Sequence, residues 1–358
     1  MAATIRVLIV DDSALIRQML TRALSMDPRI EVVGTAKTGV EAIEKSQLLS
    51  PDVVTLDIEM PELTGLEALP YIRHNSDARV VILSCVDDPD TTYRALELGA
   101  VDFIPKPSAG MATSMTELSE VLLKTIKTAY RIKPGYSPDS CSESPEGRSV
   151  DSANCGDAGS EGLAACVAVA ASTGGPPVLE RVFSGLAASL PAAYLVVQHL
   201  PSGFSASLAR RLDKVGDVRV VEAEHEMPVE AACAYVAPHG VHMTVARGRG
   251  GAQLRFSLGA AVHGVRPSAD VLFESVAEQF GADGVGVVLT GMGSDGARGA
   301  AAIKRAGGDT IVQDQASSVV WGMPGSAVRM AGAGRVVPAG LVATEIRRAV
   351  RARAEARA

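Results

Sequence analysis

"CVAVAASTGGPP", residues 166–177, runs an apolar stretch straight into Ser172, two glycines and two prolines. The apolar half has the length and composition of a buried strand. Pro176 and Pro177 suit the first turn of a helix, where a backbone N–H has no partner to lose. The segment predicts a strand turning sharply into a helix, one unit of a parallel α/β sheet. Three roles are open to Ser172 in such a turn: nucleophile, part of a phosphate loop, or cap of the helix. A phosphate loop needs G-x-x-x-x-G-K-[ST], and here there is no lysine while the prolines delete two of the N–H donors of a phosphate cradle. The cap is physically sound. It does not exclude chemistry, because a serine held above a sheet edge has the helix-start N–H groups aimed where an oxyanion forms. The motif is not G-x-S-x-G, so that signature lends no support.

Downstream, "AYLVVQH", "VRVVEA", "GVGVVLTG" and "DTIVQD" read as further strands with helices between most of them. "CAYVAPHGVHMTVAR" and "AQLRFSL" are closely spaced around a Pro-His-Gly turn and predict an antiparallel excursion. Upstream, "IRVLIV", "IEVVGTA", "DVVTLD", "RVVILS" and "DFIPKP" alternate with helical patterns such as "ALIRQMLTRALS". That is five βα units, hence a second parallel sheet covered on both faces. Residues 134–162 are dense in Ser, Gly, Pro, Asp and Glu and read as a tether. The expected fold is α/β: two doubly wound parallel-sheet domains, 4–131 and 164–350, joined by a flexible linker over 132–163.

A chain of 358 residues, 47% of them hydrophobic, is long enough for two such cores. The formal charge of -7 argues against a nucleic-acid binder working through a strongly basic face. The arginines of the C-terminal "IRRAVRARAEARA" alternate with alanines at helical spacing and read as a solvated helix. A transcriptional regulator needs a basic helix-turn-helix domain, and residues 164–350 show α/β alternation with acidic stretches instead. Cys85, Cys141, Cys155, Cys166 and Cys233 form no C-x-x-C pair, so neither a disulfide framework nor a zinc knuckle is expected. The first apolar run is too short for a signal sequence, and no run reaches the roughly 18 apolar residues of a membrane span. No membrane insertion and a reducing cytoplasm are expected.

In an open parallel sheet, functional groups gather beyond the carboxyl ends of the strands. In the first domain Asp11 and Asp12 close the first strand, Asp57 ends the third, Ser84 ends the fourth and Lys106 follows the fifth. Any one of these acids is an ordinary turn residue. Three carboxylates at one edge repel unless a hard cation with oxygen ligands sits among them, and Mg2+ suits that set. Asp57 can then attack a phosphoryl group while Lys106 and the Ser84 hydroxyl hold its oxygens.

In the second domain a nucleophilic Ser172 needs a base and an orienting acid. His199 ends "AYLVVQH" and Asp295 lies in "LTGMGSDGARG", both on the expected edge of Ser172. Singly, His199 reads as a strand-end histidine and Asp295 as the cap of the following helix. The glycines of "TGMGSDG" allow close backbone approach, and the Met292 N–H is a candidate oxyanion donor beside that of Thr173. His225, His239, His242 and His263 are weaker rivals, and none has zinc-ligand spacing.

"VLIVDDSALIR", "DVVTLDIEMPELTGLEAL", "VVILS" and "GAVDFIPKP" resemble, in order and spacing, the receiver domain of two-component response regulators. "ASTGGP", "VVQHLPSGF", "HGVRPSADVLFESVA", "VVLTGMGSDGARG" and "QDQASSVVWGMPGSAV" resemble the catalytic domain of chemotaxis protein-glutamate methylesterases of the CheB type. The resemblance implies a (βα)5 flavodoxin-like receiver followed by a Rossmann-like methylesterase domain. It implies Asp57 as phosphoacceptor, Asp11 and Asp12 as metal-side acids with a Glu59 carbonyl, Ser84 as switch hydroxyl and Lys106 as the phosphate-binding lysine. It implies a Ser172–His199–Asp295 triad with Thr173 and Met292 at the oxyanion, and no cofactor at the serine. Arg266 and Ser268 are expected to line the cleft. The implied reaction is hydrolysis of glutamate methyl esters, and deamidation of glutamines, on methyl-accepting chemoreceptors. A chemotaxis histidine kinase is the implied phosphodonor, its phosphoryl group on Asp57 uncovering a cleft that the resting receiver covers. The alternative is a phosphorylation-gated receptor-binding module without turnover, which would show receptor binding without methanol release.

Overall fold

The computed structural model describes residues 4–84, 88–106, 115–133, 163–248, 251–332 and 334–357. The chain divides into two units, Met1–Ser140 and Cys141–Ala358. Residues 134–162 of the expected linker, with Cys85, Cys141 and Cys155, lie outside the described residues. Ile132 and Leu163, which the sequence reading puts in that linker, are buried within their units.

In the first unit, β1 (Ile5–Val10), α1 (Ala14–Leu24), β2 (Ile30–Ala36), α2 (Gly39–Leu49), β3 (Val53–Asp57), α3 (Gly65–Asn75), β4 (Arg79–Ser84), α4 (Pro89–Glu97), β5 (Asp102–Pro105) and α5 (Met115–Arg131) follow one another. The strands form one sheet in the order β2-β1-β3-β4-β5, parallel throughout. β3 is buried along its whole length, as a strand covered on both faces must be. Side chains start the helices. Ser13 accepts from Ile16 N, Thr38 accepts from Glu41 N, and Thr64 with Glu67 closes a capping box at α3. α1 packs on α5 and α2 on α3, leaving the carboxyl edge to the acids that end β1 and β3.

The second unit holds β6 (Ala165–Ala171), α6 (Gly175–Ser184), β7 (Ala192–Gln198), α7 (Ser205–Val215), β8 (Arg219–Glu222), β9 (Cys233–Val236), β10 (His242–Gly248), β11 (Gly251–Ser257), α8 (Ala269–Phe280), β12 (Gly284–Val288), α9 (Ala297–Arg305), β13 (Asp309–Gln313), α10 (Gly322–Ala331), β14 (Arg335–Val337) and α11 (Ala339–Arg357). Seven strands form a sheet in the order β14-β13-β12-β6-β7-β9-β8, again parallel. β6 and β7 are wholly buried. The strand order reverses at β6, with β7 on one side and β12 on the other. This is the switch point at which open α/β sheets form their crevices.

The antiparallel excursion is smaller than the sequence reading has it. β10 and β11 pair antiparallel as a separate two-stranded sheet, but "CAYV" is β9, a parallel strand between β7 and β8. Its fully buried pattern carries no mark of strand direction, so only pairing decides it. The edge strand β14, three residues long, was not foreseen. Arg348 and Arg351 are exposed, as the sequence reading has them, but Arg353 and Arg357 are anchors. Arg353 donates to Ala282 O at 2.9 Å and pairs with Asp309 at 3.0 Å, while Arg357 reaches Leu163 O and Asp283. Guanidinium forks suit such carbonyl and carboxylate partners.

Candidate active site

Ser172 is the first residue beyond β6, and its main chain is gripped from both neighbouring strands. Its N–H donates to Thr290 O at 3.0 Å, and its carbonyl accepts from Gln198 Nε2 at 2.9 Å. The serine does not cap α6. The N-cap is Gly174, in the left-handed region at φ 73°, where a Cβ would stand 2.2 Å from Val319 Cγ2. A serine is therefore excluded from the cap, while the prolines do occupy the first turn. The Ser172 carbonyl closes the turn by accepting from Gly175 N at 2.8 Å.

His199 follows β7, and its N–H donates to Ala171 O at 3.1 Å, which sets it beside the serine turn. Its Nε2 lies 2.8 Å from Asp295 Oδ2. With Nε2–H directed at the carboxylate, Nδ1 carries the lone pair. The imidazole is thus turned the other way from a triad whose acid binds Nδ1.

Asp295 is buried at 2% exposure. It is not the cap of α9, whose N-cap is Gly296 at φ 83°. Its carboxylate instead sits at the head of α8, accepting from Ser268 Oγ at 2.6 Å, Ala269 N at 2.7 Å and Asp270 N at 3.1 Å. Burial pushes its pKa up, but the bonds from His199, Ser268 and Ala269 outweigh this and hold it at about 2. The acid is therefore ionised and rigid at neutral pH.

Ser268 is fully buried, so it supports Asp295 instead of lining the cleft as the sequence reading expects. Arg266 directs Nη1 to the carbonyls of Leu258 and Gly259, at 3.0 and 2.9 Å, and so braces the segment after β11. The segments bearing Thr173 and Met292 run side by side: Thr290 Oγ1 donates to Thr173 O at 3.0 Å, and Gly291 N donates to Val320 O at 2.9 Å.

The other histidines have separate partners. His239 Nδ1 lies 2.8 Å from Leu200 O, and His242 Nε2 lies 3.0 Å from Ala260 O. His225 Nδ1 accepts from Phe256 N at 3.0 Å. His263 forms a second His–Asp pair with buried Asp270, at 2.9 Å. The acceptor atoms of His263, Asp270 and Asp295 lie within 4.8 Å of one another. Asp270 Oδ1 accepts from Gly299 N at 2.8 Å, and both Asp295 oxygens are already bonded, so the cluster is a hydrogen-bond hub behind the dyad. Sequence reasoning missed Asp270, Gln198 and Thr290. The first looks like a helix-start acid, and the other two look like ordinary strand ends.

In the first unit, acceptor oxygens of Asp11, Asp12 and Asp57 lie within 4.8 Å of one another, Asp12 on the exposed side. Lys106 Nζ stands 2.9 Å from Asp11 Oδ2 and 2.6 Å from Asp57 Oδ2. Burial raises the Asp57 pKa to about 6 against the lowering effect of Lys106, with Asp11 adding repulsion. An all-carboxylate set with one open side and an unfavourable charge density fits a hard divalent cation. Glu59 N donates to Asp57 Oδ1 at 3.3 Å. Ser84 Oγ is hydrogen-bonded to Thr92 Oγ1, a partner the sequence reading did not foresee, and Ser84 O accepts from Lys106 N at 2.7 Å.

Residues 167–346 match the family described as CheB methylesterase, and residues 7–115 match the response regulator receiver domain. The chain is 42% identical, over 94% of its length and 91% of the relative's, to a protein-glutamate methylesterase/protein-glutamine glutaminase of Pyrococcus horikoshii. It is 43% identical to the protein of the same name in Symbiobacterium thermophilum, over 97% of each chain. Among solved structures it is similar to the Thermotoga maritima CheB methylesterase catalytic domain. The TM-score is 0.51 and the identity 35%, over 51% of this chain and 97% of that one. Among the described residues no helix is long and apolar enough to cross a membrane.

Proposed function

The chain belongs to the CheB methylesterase family, with a receiver domain ahead of the esterase domain, and from that premise we propose a Ser172 acyl-enzyme mechanism switched on by phosphorylation of Asp57. The substrates are glutamate methyl esters and certain glutamines on the cytoplasmic helices of chemoreceptors. Ser172 Oγ attacks the side-chain carbonyl as His199 Nδ1 takes its proton. Asp295, holding Nε2 at 2.8 Å, steadies the imidazolium that forms. The N–H groups of Thr173 and Met292 receive the negative charge of the tetrahedral oxygen. Collapse returns the proton to the leaving group, releasing methanol from an ester or ammonia from an amide. Water then attacks the acyl-serine with His199 as base, and glutamate and free Ser172 result.

In the receiver, Asp11, Asp12 and Asp57, with the Glu59 carbonyl, would hold Mg2+. The ion, when bound, offsets the repulsion among the carboxylates and the incoming phosphoryl group. Asp57 accepts that group from a chemotaxis histidine kinase in the cytoplasm. Lys106 pairs with its oxygens, and the Ser84 hydroxyl leaves Thr92 to do the same.

The observation that carries the reading is the His199–Asp295 pair beside Ser172 at the switch point of the sheet. Methanol release from methylated receptor membranes tests it. Ser172→Ala is expected to abolish release while keeping the thermal midpoint, and substantial residual release rejects the nucleophile. Equal wild-type rates with and without a small-molecule phosphodonor reject the regulation.

A further inference from the structure

We infer that Gln198 is a positioning residue for the reaction, one carboxamide nitrogen tying the main chain of the nucleophile to that of the base. The inference rests on the Ser172–His199 reading above. Gln198 is the last residue of β7 and only 3% exposed. Its Nε2 donates one hydrogen to Ser172 O at 2.9 Å and the other to His199 O at 3.1 Å. An amide nitrogen has two hydrogens and no more, so a single planar group sets the distance between two carbonyls on neighbouring strands.

The orientation of the amide is fixed by its surroundings. Reversed, Oε1 would face two carbonyl oxygens and repel both. As placed, Oε1 is buried without a hydrogen-bond partner, against the α-carbon of Gly175. A Cβ there would stand 2.0 Å from Oε1 and 2.9 Å from Ala171 Cβ. The second glycine of "STGGPP" is therefore required by Gln198 and Ala171 together, not by the helix that it begins. A buried carbonyl oxygen without a donor is costly, and a shorter or apolar side chain would avoid it. Set against that cost are the two bonds that the nitrogen makes.

Strand pairing alone holds Ala171 and His199 together, but Ser172 and Leu200 lie beyond the strands, where no ladder sets their register. Gln198 bridges that gap on one flank of Ser172. On the other, Thr290 accepts from Ser172 N through its carbonyl and donates to Thr173 O through its hydroxyl. Displacing a catalytic group by an ångström is enough to lose about 100-fold in rate.

The test is methanol release from methylated receptor membranes by the full-length protein, with Ser172→Ala alongside. Gln198→Met keeps the volume and loses both donors. Gln198→Glu keeps one donor while its carboxyl is neutral and none once ionised. Expected for Gln198→Met is a kcat lower by about 10- to 100-fold, with KM within about twofold of wild type and unchanged far-ultraviolet circular dichroism. Expected for Gln198→Glu is a new descending limb in the pH–kcat profile as its carboxyl ionises, a limb that wild type and Gln198→Met lack. A packing role alone produces no such limb. Where Gln198→Met does not fold, Gly175→Ala decides, since it displaces the carboxamide without removing it and is expected to lower kcat in the same selective way. A folded Gln198→Met or Gly175→Ala with kcat within about twofold of wild type overturns the inference. Residual turnover in Ser172→Ala overturns the reading of the site instead, so the two failures are distinct.

Discussion

His199 presents Nε2, not Nδ1, to Asp295, at 2.8 Å. The acid is in turn held by three donors at the head of α8. The dyad is therefore oriented by a helix terminus, and the nitrogen left with the lone pair is the one nearer the imidazole's own backbone.

Replacing the acid tests this directly. Asp295→Asn keeps the shape but offers an N–H where the carboxylate accepts, so the wrong tautomer of His199 is favoured. A loss in kcat of about 10³- to 10⁴-fold is expected, read from methanol release with KM little changed.

The same residue sets an acid-stability signature. Its folded pKa, about 2, lies below the ordinary 3.8, so ionised Asp295 favours the fold. That contribution, on the order of 2 kcal/mol, is complete above about pH 4 and lost as pH falls through 2. The stability gap between wild type and Asp295→Asn, measured by urea unfolding, should shrink steadily from pH 5 to pH 2.

Ser268→Ala removes the 2.6 Å bond to Asp295 Oδ1 and leaves the two backbone donors. A loss of about 1–2 kcal/mol in stability is expected, with kcat several-fold lower and KM unchanged. If Ser268 touched substrate instead, KM would rise.

Asp57 behaves in the opposite sense to Asp295. Its pKa is raised from 3.8 to about 6, so ionisation disfavours the folded receiver, the penalty growing from about pH 4 and complete above 6. Asp57→Asn should therefore stabilise the receiver at pH 7 by on the order of 2–3 kcal/mol, and by nothing at pH 3.5. Mg2+ should raise the thermal midpoint of wild type at pH 7 and do so less in Asp57→Asn. Equal midpoints with and without Mg2+ in both proteins count against the three-carboxylate site.

Lys106→Met leaves Asp11 and Asp57 without the cation now 2.9 and 2.6 Å away. Loss of about 3–5 kcal/mol is expected when one partner of a buried pair is removed. Phosphodonor should no longer accelerate methanol release, while basal release per folded molecule stays the same.

Much of this was legible in the chain. Runs such as "VLIV" and "VAVAA", alternating with helical patterns, read as strands covered on both faces, and Ser172, His199 and Asp57 stand where such strands end, with Asp295 in the loop that follows β12. The strand alternation thus determined by itself the two sheets, their carboxyl edges and which residues had to gather there. What it left open depended on contacts between segments far apart in the chain. "CAYV" reads equally well in either direction until it pairs with β7 and β8. Ser172 appears free to cap α6 until Val319 demands a glycine at position 174. Ser268 looks like a cleft residue until α8 packs its head against Asp295. Gln198 looks like any strand end until two carbonyls from different strands meet its one nitrogen. Burial periodicity is a local property and can be read along the chain, whereas the partner of a buried polar atom exists only once the strands are side by side.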